Sequence, residues 1–216
     1  MTRHERLGRH GHGAGLLLSL LALTSVSPRG VAGATGDPAV GSWATYQWTS
    51  TLTQEVPVLV KEQGPGGQAT WSLARESAPP PPIFVTYSIV RGDAKTYVLQ
   101  IVTHMRVDGP PLSVTQVTVD RASGKALRSV IKRPKGLIAT PESGLRPFPP
   151  PAAKGTEEAV VVPAGRFAAV RAPHRDGPVW VSDQVPAMRL VKAAFKTGQL
   201  ELVRSGASGA KDLLRS

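Results

Sequence analysis

From Gly41 onward, apolar and polar residues alternate with a period of two, and helical periodicity over a window of about 11 to 18 residues is hard to find. Residues 43–49, 54–61 and 69–75 read as the first strands, the last two joined by the turn Gly64-Pro65-Gly66-Gly67. Pro57 cannot donate to a ladder, which moves the second run to a sheet edge or a bulge. Residues 78–82 contain four consecutive prolines and form an extended connector. Residues 83–90 and 97–107 are rich in β-branched and aromatic side chains and flank the turn Arg91-Gly92-Asp93. Pro110 and Pro111 break the chain before the run 112–120. The turn that follows lets Asp120 bond its own downstream backbone and Gly124 supply positive φ, and it leads into residues 125–132.

Between 133 and 154 the pattern lapses: Pro134, Pro141, Pro147, Pro149, Pro150 and Pro151 mark a long loop or flap. Alternation then resumes over 157–162, 166–172, 178–182, 190–197 and 199–205, a meander of five short-linked antiparallel strands. In its first hairpin Gly165 permits a sharp turn and Val162 can pair with Phe167 across it. The pattern predicts an all-β fold of about ten or eleven strands in one sheet system, with residues 35–206 as a single domain and 207–216 as a tail that frays or adds a short helical turn. An antiparallel sheet of this size covers its apolar face with a second sheet, by curling, or with a ligand.

The first 34 residues stand apart. Arg3, Arg6 and Arg9 precede an apolar stretch from Ala14 to Val26, and Ala32-Gly33-Ala34 has the small-x-small form of a signal-peptidase site. Pro28 and Arg29 interrupt the stretch before the roughly 20 apolar residues of a membrane span are reached. The expectation is a secretory signal cleaved near Ala34, with no transmembrane anchor afterwards. No cysteine follows, so lipid anchoring through Cys, disulfides and thiolate metal sites are excluded. The whole chain carries +11, and loss of Arg3, Arg6, Arg9 and Arg29 with Glu5 leaves about +8 on the mature domain. The absence of Asn beside abundant Ala, Arg, Gly and Pro fits a GC-rich bacterial genome, and the protein is expected in the periplasm or the medium.

Catalytic constellations are missing. The mature chain holds no Gly-x-Ser-x-Gly, and His174-Arg175-Asp176 spells a kinase core triplet without the phosphate loop that chemistry needs. His104 and His174 are the only mature histidines, seventy residues apart and without a carboxylate cluster, so no metal or cofactor is expected. The acidic residues sit mostly in or beside turns and suggest no glycosidase pair. The Lys and Arg residues are scattered singly, which argues against nucleic acid and points instead to anionic lipid headgroups or polyanionic glycans.

The aromatic residues are few, and they carry the functional reading. Tyr46 and Trp48 share one face of the first strand while Trp43 points to the other, and Trp71, Tyr87, Tyr97 and Trp180 fall within later strands. Gly41-Ser42-Trp43-x-x-Tyr46, Val162-Pro163-Ala164-Gly165-Arg166-Phe167-x-Ala169, Val179-Trp180-Val181-Ser182-Asp183-x-Val185-Pro186, Leu190-Val191-Lys192 and Glu201-Leu202-Val203-x-x-Gly206-x-Ser208-Gly209-Ala210 resemble segments of exported bacterial proteins related to the outer-membrane lipoprotein carrier superfamily. The resemblance lies mainly in residues 157–210. It implies a curved, open antiparallel half-barrel whose concave apolar side holds acyl chains. The chain lacks the carriers' lid helices, so loops 78–82 and 134–151 would have to cover the opening.

The resulting expectation is a soluble, non-enzymatic periplasmic binding or carrier protein for a lipid, acyl chain or hydrophobic peptide. Tyr46, Trp48, Trp71, Tyr97, Met105 and Trp180 would line the concave face, with Met188 as an adaptable contact. The competing expectation is an envelope interaction module that docks a protein partner or an anionic surface through strand edges and basic charge.

Overall fold

The structure, a computed structural model, describes residues 38–63, 67–133, 136–140, 155–174 and 176–215; the expected signal peptide, the Gly64-Pro65-Gly66 part of the first turn and most of the Pro-rich loop lie outside them. Thirteen strands run in chain order: β1 (Trp43–Ser50), β2 (Gln54–Gln63), β3 (Ala69–Ala78), β4 (Ile83–Gly92), β5 (Thr96–His104), β6 (Pro111–Asp120), β7 (Ala126–Arg133), β8 (Gly136–Thr140), β9 (Thr156–Val162), β10 (Gly165–Ala172), β11 (Val179–Val181), β12 (Leu190–Phe195) and β13 (Gly198–Gly206). The fold is all-β, and eleven strands form one antiparallel sheet in the order β8-β7-β6-β5-β4-β1-β13-β12-β11-β10-β9.

The sheet is open, with β8 and β9 as its edges, and it curls. Four strand spacings of about 4.8 Å separate β13 from β9, so a flat sheet would hold them roughly 19 Å apart. Yet Ala164, in the β9–β10 turn, donates its backbone N–H to the Leu202 carbonyl of β13 at 3.0 Å. The concave face is the apolar one: Ala44, Tyr46, Leu99, Val117, Val119, Val179, Leu200 and Leu202 pack there in one buried cluster. Burial of this face is the main stabilising term, since antiparallel sheets gain most from apolar area removed from water.

Four expectations change. β2 and β3 do not join the main sheet; they pair only with each other as a separate hairpin, which absorbs Pro57 in a strand with one unpaired edge. β8 occupies residues 136–140, inside the stretch read as loop, because a short Gly-Leu-Ile-Ala-Thr run is enough to pair with β7. Val162 pairs with Gly165, and Phe167 with Val160, so the β9–β10 turn is tighter than read and only Pro163 and Ala164 lie outside the ladder. Cover over the concave side comes from a segment that the sequence does not mark, while all of the loop 134–151 except β8 lies outside the described residues. That role falls to residues 182–189, whose consecutive turns press Val185 and Met188 into the cluster at 0% and 2% exposure. The turns require positive φ at Ala187 (64°) and Arg189 (55°), an unfavourable conformation for residues with a Cβ that packing must hold in place.

The tail does not fray. Residues 207–215 carry no helix and lie across the convex face, tied down at their start by Ala210, which donates to the Gly41 carbonyl at 2.9 Å, and by the Trp43 indole N–H, which donates to the Ser208 carbonyl at 3.0 Å.

Candidate functional site

Over β4–β7 the concave face is built of cross-strand rows fixed by register. Ile89, Leu99, Val117 and Ser129 form one row; Tyr87, Ile101, Thr115 and Ile131 form the next; Val85, Thr103 and Ser113 form a third. The first row is fully buried. In the second and third rows Tyr87, Ile101, Thr103 and Ser113 stay half-buried, as do Ile83 and Phe195 beside them. The composition shifts along the same direction, from aliphatic side chains to hydroxyls. Trp48, tilted against Phe195 at 5.9 Å between ring centroids, closes one end with Ile83 directly opposite it on β4.

Two tyrosines meet here in unlike situations. Tyr46 is buried outright and its hydroxyl donates to the Leu190 carbonyl at 2.9 Å, spanning the curl from β1 to β12. Burial, and then the neighbouring Tyr87, push its phenol well above the ordinary value. Tyr87 packs edge-on against Tyr46 at 5.8 Å, and burial raises its phenol to about 12. Its side chain stays half-buried, and no described residue hydrogen-bonds its hydroxyl. That hydroxyl, with Ile101 directly opposite on β5 and Val85 and Ile83 farther along β4 on the same face, is a polar handle among apolar side chains.

Of the residues expected to line this face, Tyr46, Trp48, Tyr97 and Met188 are brought together in one cluster, and all four are buried. They form its sealed part rather than an open surface. Three others go elsewhere. Met105 falls after the end of β5, in the turn to β6, and is 43% exposed, because the strand stops one residue before it. Trp71 lies on the separate β2–β3 hairpin, 45% exposed, with the Lys61 ammonium 5.8 Å from its ring. Trp180 alternates with the buried Val179 and Val181; its ring sits by the Arg171 guanidinium and the Lys192 ammonium at 5.7 and 6.0 Å, and its indole N–H donates to Glu158. That polar setting takes Trp180 out of the concave lining, although it packs against the margin of the cluster. Tyr87, Ile83 and Ile101 are not among the residues that the sequence assigns to the lining, yet the odd-numbered apolar alternation of β4, from Ile83 to Ile89, carries the signal.

The β2–β3 hairpin is a second surface. Leu59 and Leu73 face each other in register on it, 41% and 72% exposed, next to the Lys61–Trp71 pair. Arg75 and Glu55 form an exposed ion pair on the same face at 3.3 Å. The opposite face carries Val56, Val58, Val60 and Ala74 with Glu62 and Glu76, so both faces of the hairpin present apolar side chains.

The remaining polar groups have local structural roles. His104 Nδ1 is 2.8 Å from the Gly109 carbonyl, bracing the β5–β6 turn. Asp120 Oδ1 accepts the Ser123 N–H at 2.7 Å, as its turn requires, and the Ser123 hydroxyl and backbone bonds hold its carboxyl below the ordinary range. Among the described residues no group of three or more His, Asp or Glu is placed to hold a metal ion, and no helix is long and apolar enough to cross a membrane. In comparisons with family models, with curated proteins and with solved structures, nothing matches this chain.

Proposed function

We propose that the protein is an exported, non-enzymatic binding or carrier protein of the bacterial envelope that holds a lipid or acyl chain on the concave face of its curved sheet. The observation that carries this reading is the half-buried apolar row around Tyr87, which presents a hydroxyl that no described residue hydrogen-bonds. A ligand carboxylate, ester or headgroup oxygen would accept from it, a hydrogen bond worth about 1 kcal/mol net. Ile83, Ile101, Phe195 and the Trp48 edge would take the chain, at roughly 25 cal/mol per Å² before ordering costs. The carrier-like segments within residues 157–210 fit this reading, since they build the curled half of the sheet that encloses the recess.

The test is native mass spectrometry of the chain expressed with its own leader and purified from a bacterial periplasm without detergent, followed by incubation with oleate. The expected result is a stoichiometric adduct that is lost in Ile101→Asp. A clean apo mass that takes up no oleate would overturn the reading.

A second reading rests on a different observation. The exposed Leu59, Trp71 and Leu73 stripe, on a hairpin with two unpaired edges, supports an envelope interaction module. Salt-sensitive association with envelope material, abolished by Trp71→Ser with Leu73→Ser and unaccompanied by extractable lipid, would favour this second reading over the first.

A further inference from the structure

The convex face carries a polar arrangement that the concave site does not use. Arg91, Gln100 and Gln116 stand on the neighbouring strands β4, β5 and β6, with the two glutamines directly opposite each other in register. Gln100 is 2% exposed and Gln116 6%, so these are fixed groups on a rigid sheet rather than surface side chains. Over them lies the tail. The Gln100 amide nitrogen donates to the Lys211 carbonyl at 2.9 Å and its oxygen accepts the Leu213 N–H at 2.9 Å, so one side chain reads the backbone on both sides of residue 212. The Gln116 amide nitrogen donates to Asp212 Oδ1 at 2.6 Å and to the Gln100 oxygen at 3.0 Å. Arg91 Nη2 donates to the Gln116 oxygen at 2.7 Å, and its Nε lies 2.7 Å from Asp212 Oδ2 as an ion pair whose angle is too bent for a hydrogen bond.

The two halves of this contact are built differently. The sheet side is buried and preorganised, its amides held by each other and by Ser88, whose hydroxyl lies 3.5 Å from the Gln100 nitrogen. The tail side is not: residues 207–209, 211 and 215 are exposed and 212–214 are half-buried. A segment held by backbone hydrogen bonds and one carboxylate, with little apolar burial, is the geometry of a bound peptide rather than of a core strand. The Asp212 carboxylate is also selected by size. Its Oδ1 accepts the Leu214 N–H at 3.1 Å, a turn that the longer side chain of Glu does not form, while Arg91 and the Gln116 amide demand an acceptor with negative charge.

We propose that Arg91, Gln100 and Gln116 form a peptide-binding site for an extended, aspartate-centred segment, filled here by the chain's own residues 211–214 and able to take the same segment from a second copy of the chain when its own tail is released. The tether keeps the site filled in cis, because a short linked segment competes at high effective concentration. Exchange between copies needs only that the half-exposed tail come away, with the sheet unchanged. The site shares no residue with the concave recess, so it stands or falls separately from the carrier reading.

The test uses the full chain carrying D212A, which alters only the tail, and a fluorescein-labelled peptide of residues 206–216 read by anisotropy. The expected result is saturable one-to-one binding to D212A, at least tenfold weaker binding to the wild-type chain, whose own tail competes, and at least tenfold weaker binding of the peptide with Asp212→Asn or Asp212→Glu. L213P, which deletes the N–H given to Gln100, should open the site in the same way and serves if D212A is poorly behaved. Absence of saturable binding to both variants, with circular dichroism showing them folded, would overturn the proposal. So would equal binding of the Asp, Asn and Glu peptides.

Discussion

Tyr46 and Tyr87 touch and lie on the same face, but Tyr46 is buried with a partner for its hydroxyl while Tyr87 is half-buried with none among the described residues, so changing each to Phe separates a structural tyrosine from a ligand-directed one. Tyr46→Phe deprives the buried Leu190 carbonyl of its donor at 2.9 Å and should cost about 1–3 kcal/mol. With an m-value of about 2 kcal/mol/M for urea, the unfolding midpoint should fall by about 0.5–1.5 M with m unchanged. Tyr87→Phe removes a hydroxyl that no described residue hydrogen-bonds, so the midpoint should stay within about 0.25 M of wild type. Oleate affinity should rank the two the other way. Loss of one hydrogen bond from Tyr87 to the ligand, worth about 1 kcal/mol, weakens binding about fivefold, whereas Tyr46→Phe leaves affinity nearly intact wherever the protein remains folded. Equilibrium urea unfolding followed by tryptophan fluorescence and oleate titration provide the two readouts. A midpoint drop in Tyr87→Phe as large as in Tyr46→Phe would refute the reasoning, because the Tyr87 hydroxyl would then be part of the scaffold.

Three other outcomes follow from the same geometry. Burial raises the Asp212 carboxyl, but the Gln116 and Leu214 hydrogen bonds and the Arg91 charge outweigh it and hold the group below the ordinary range; its contribution to tail docking is therefore complete above about pH 4 and lost as pH falls through the lowered value. Amide exchange at Leu213 should accelerate between about pH 4 and pH 2 beyond the intrinsic trend, and Asp212→Asn should abolish that step. Gly198→Ala places a Cβ 2.7 Å from Trp48 Cζ2 at a position whose φ is +156°, which should cost about 1–3 kcal/mol and lower the melting temperature by about 2–10 °C. Trp71→Ser and Leu73→Ser, on the exposed hairpin, should change stability by no more than about 0.5 kcal/mol in thermal melts while shortening retention on a phenyl matrix.

Period-two alternation made the strands legible, and parity alone placed Tyr46 and Trp48 together with Trp43 on the other face. It also misplaced Trp71, because β2 and β3 alternate as regularly as the core strands do; what separates them is which strand pairs with which, a long-range property that no local run of residues encodes. Met105 was lost to a boundary, since the strand read as 97–107 ends at His104 and leaves the last three residues of the run in the turn. The cover over the cluster depended on the 182–189 turns, which use positive φ at Ala187 and Arg189 that the sequence does not advertise as glycine would. The tail site was invisible for a similar reason: Gln100 and Gln116 are ordinary alternating polar residues until register sets them opposite each other and the chain end returns over them.

The same three strands therefore present two unlike surfaces. Tyr87 and Ser88 are consecutive on β4, as are Gln100 and Ile101 on β5 and Thr115 and Gln116 on β6, so each strand gives alternate side chains to the apolar recess and to the polar ladder. A one-residue slip of β5 and β6 would exchange the two sets, carrying Gln100 and Gln116 to the apolar face and Leu99 and Val117 out of it, at the cost of several unsatisfied amides. The ladder under the tail thus discourages wrong pairings as well as binding a segment, and it does so where β4–β6 meet, at the centre of the concave site. Polar groups placed to fix register on one face keep the recess on the other face in a single shape, which is what a preformed apolar groove needs in order to bind without first being ordered.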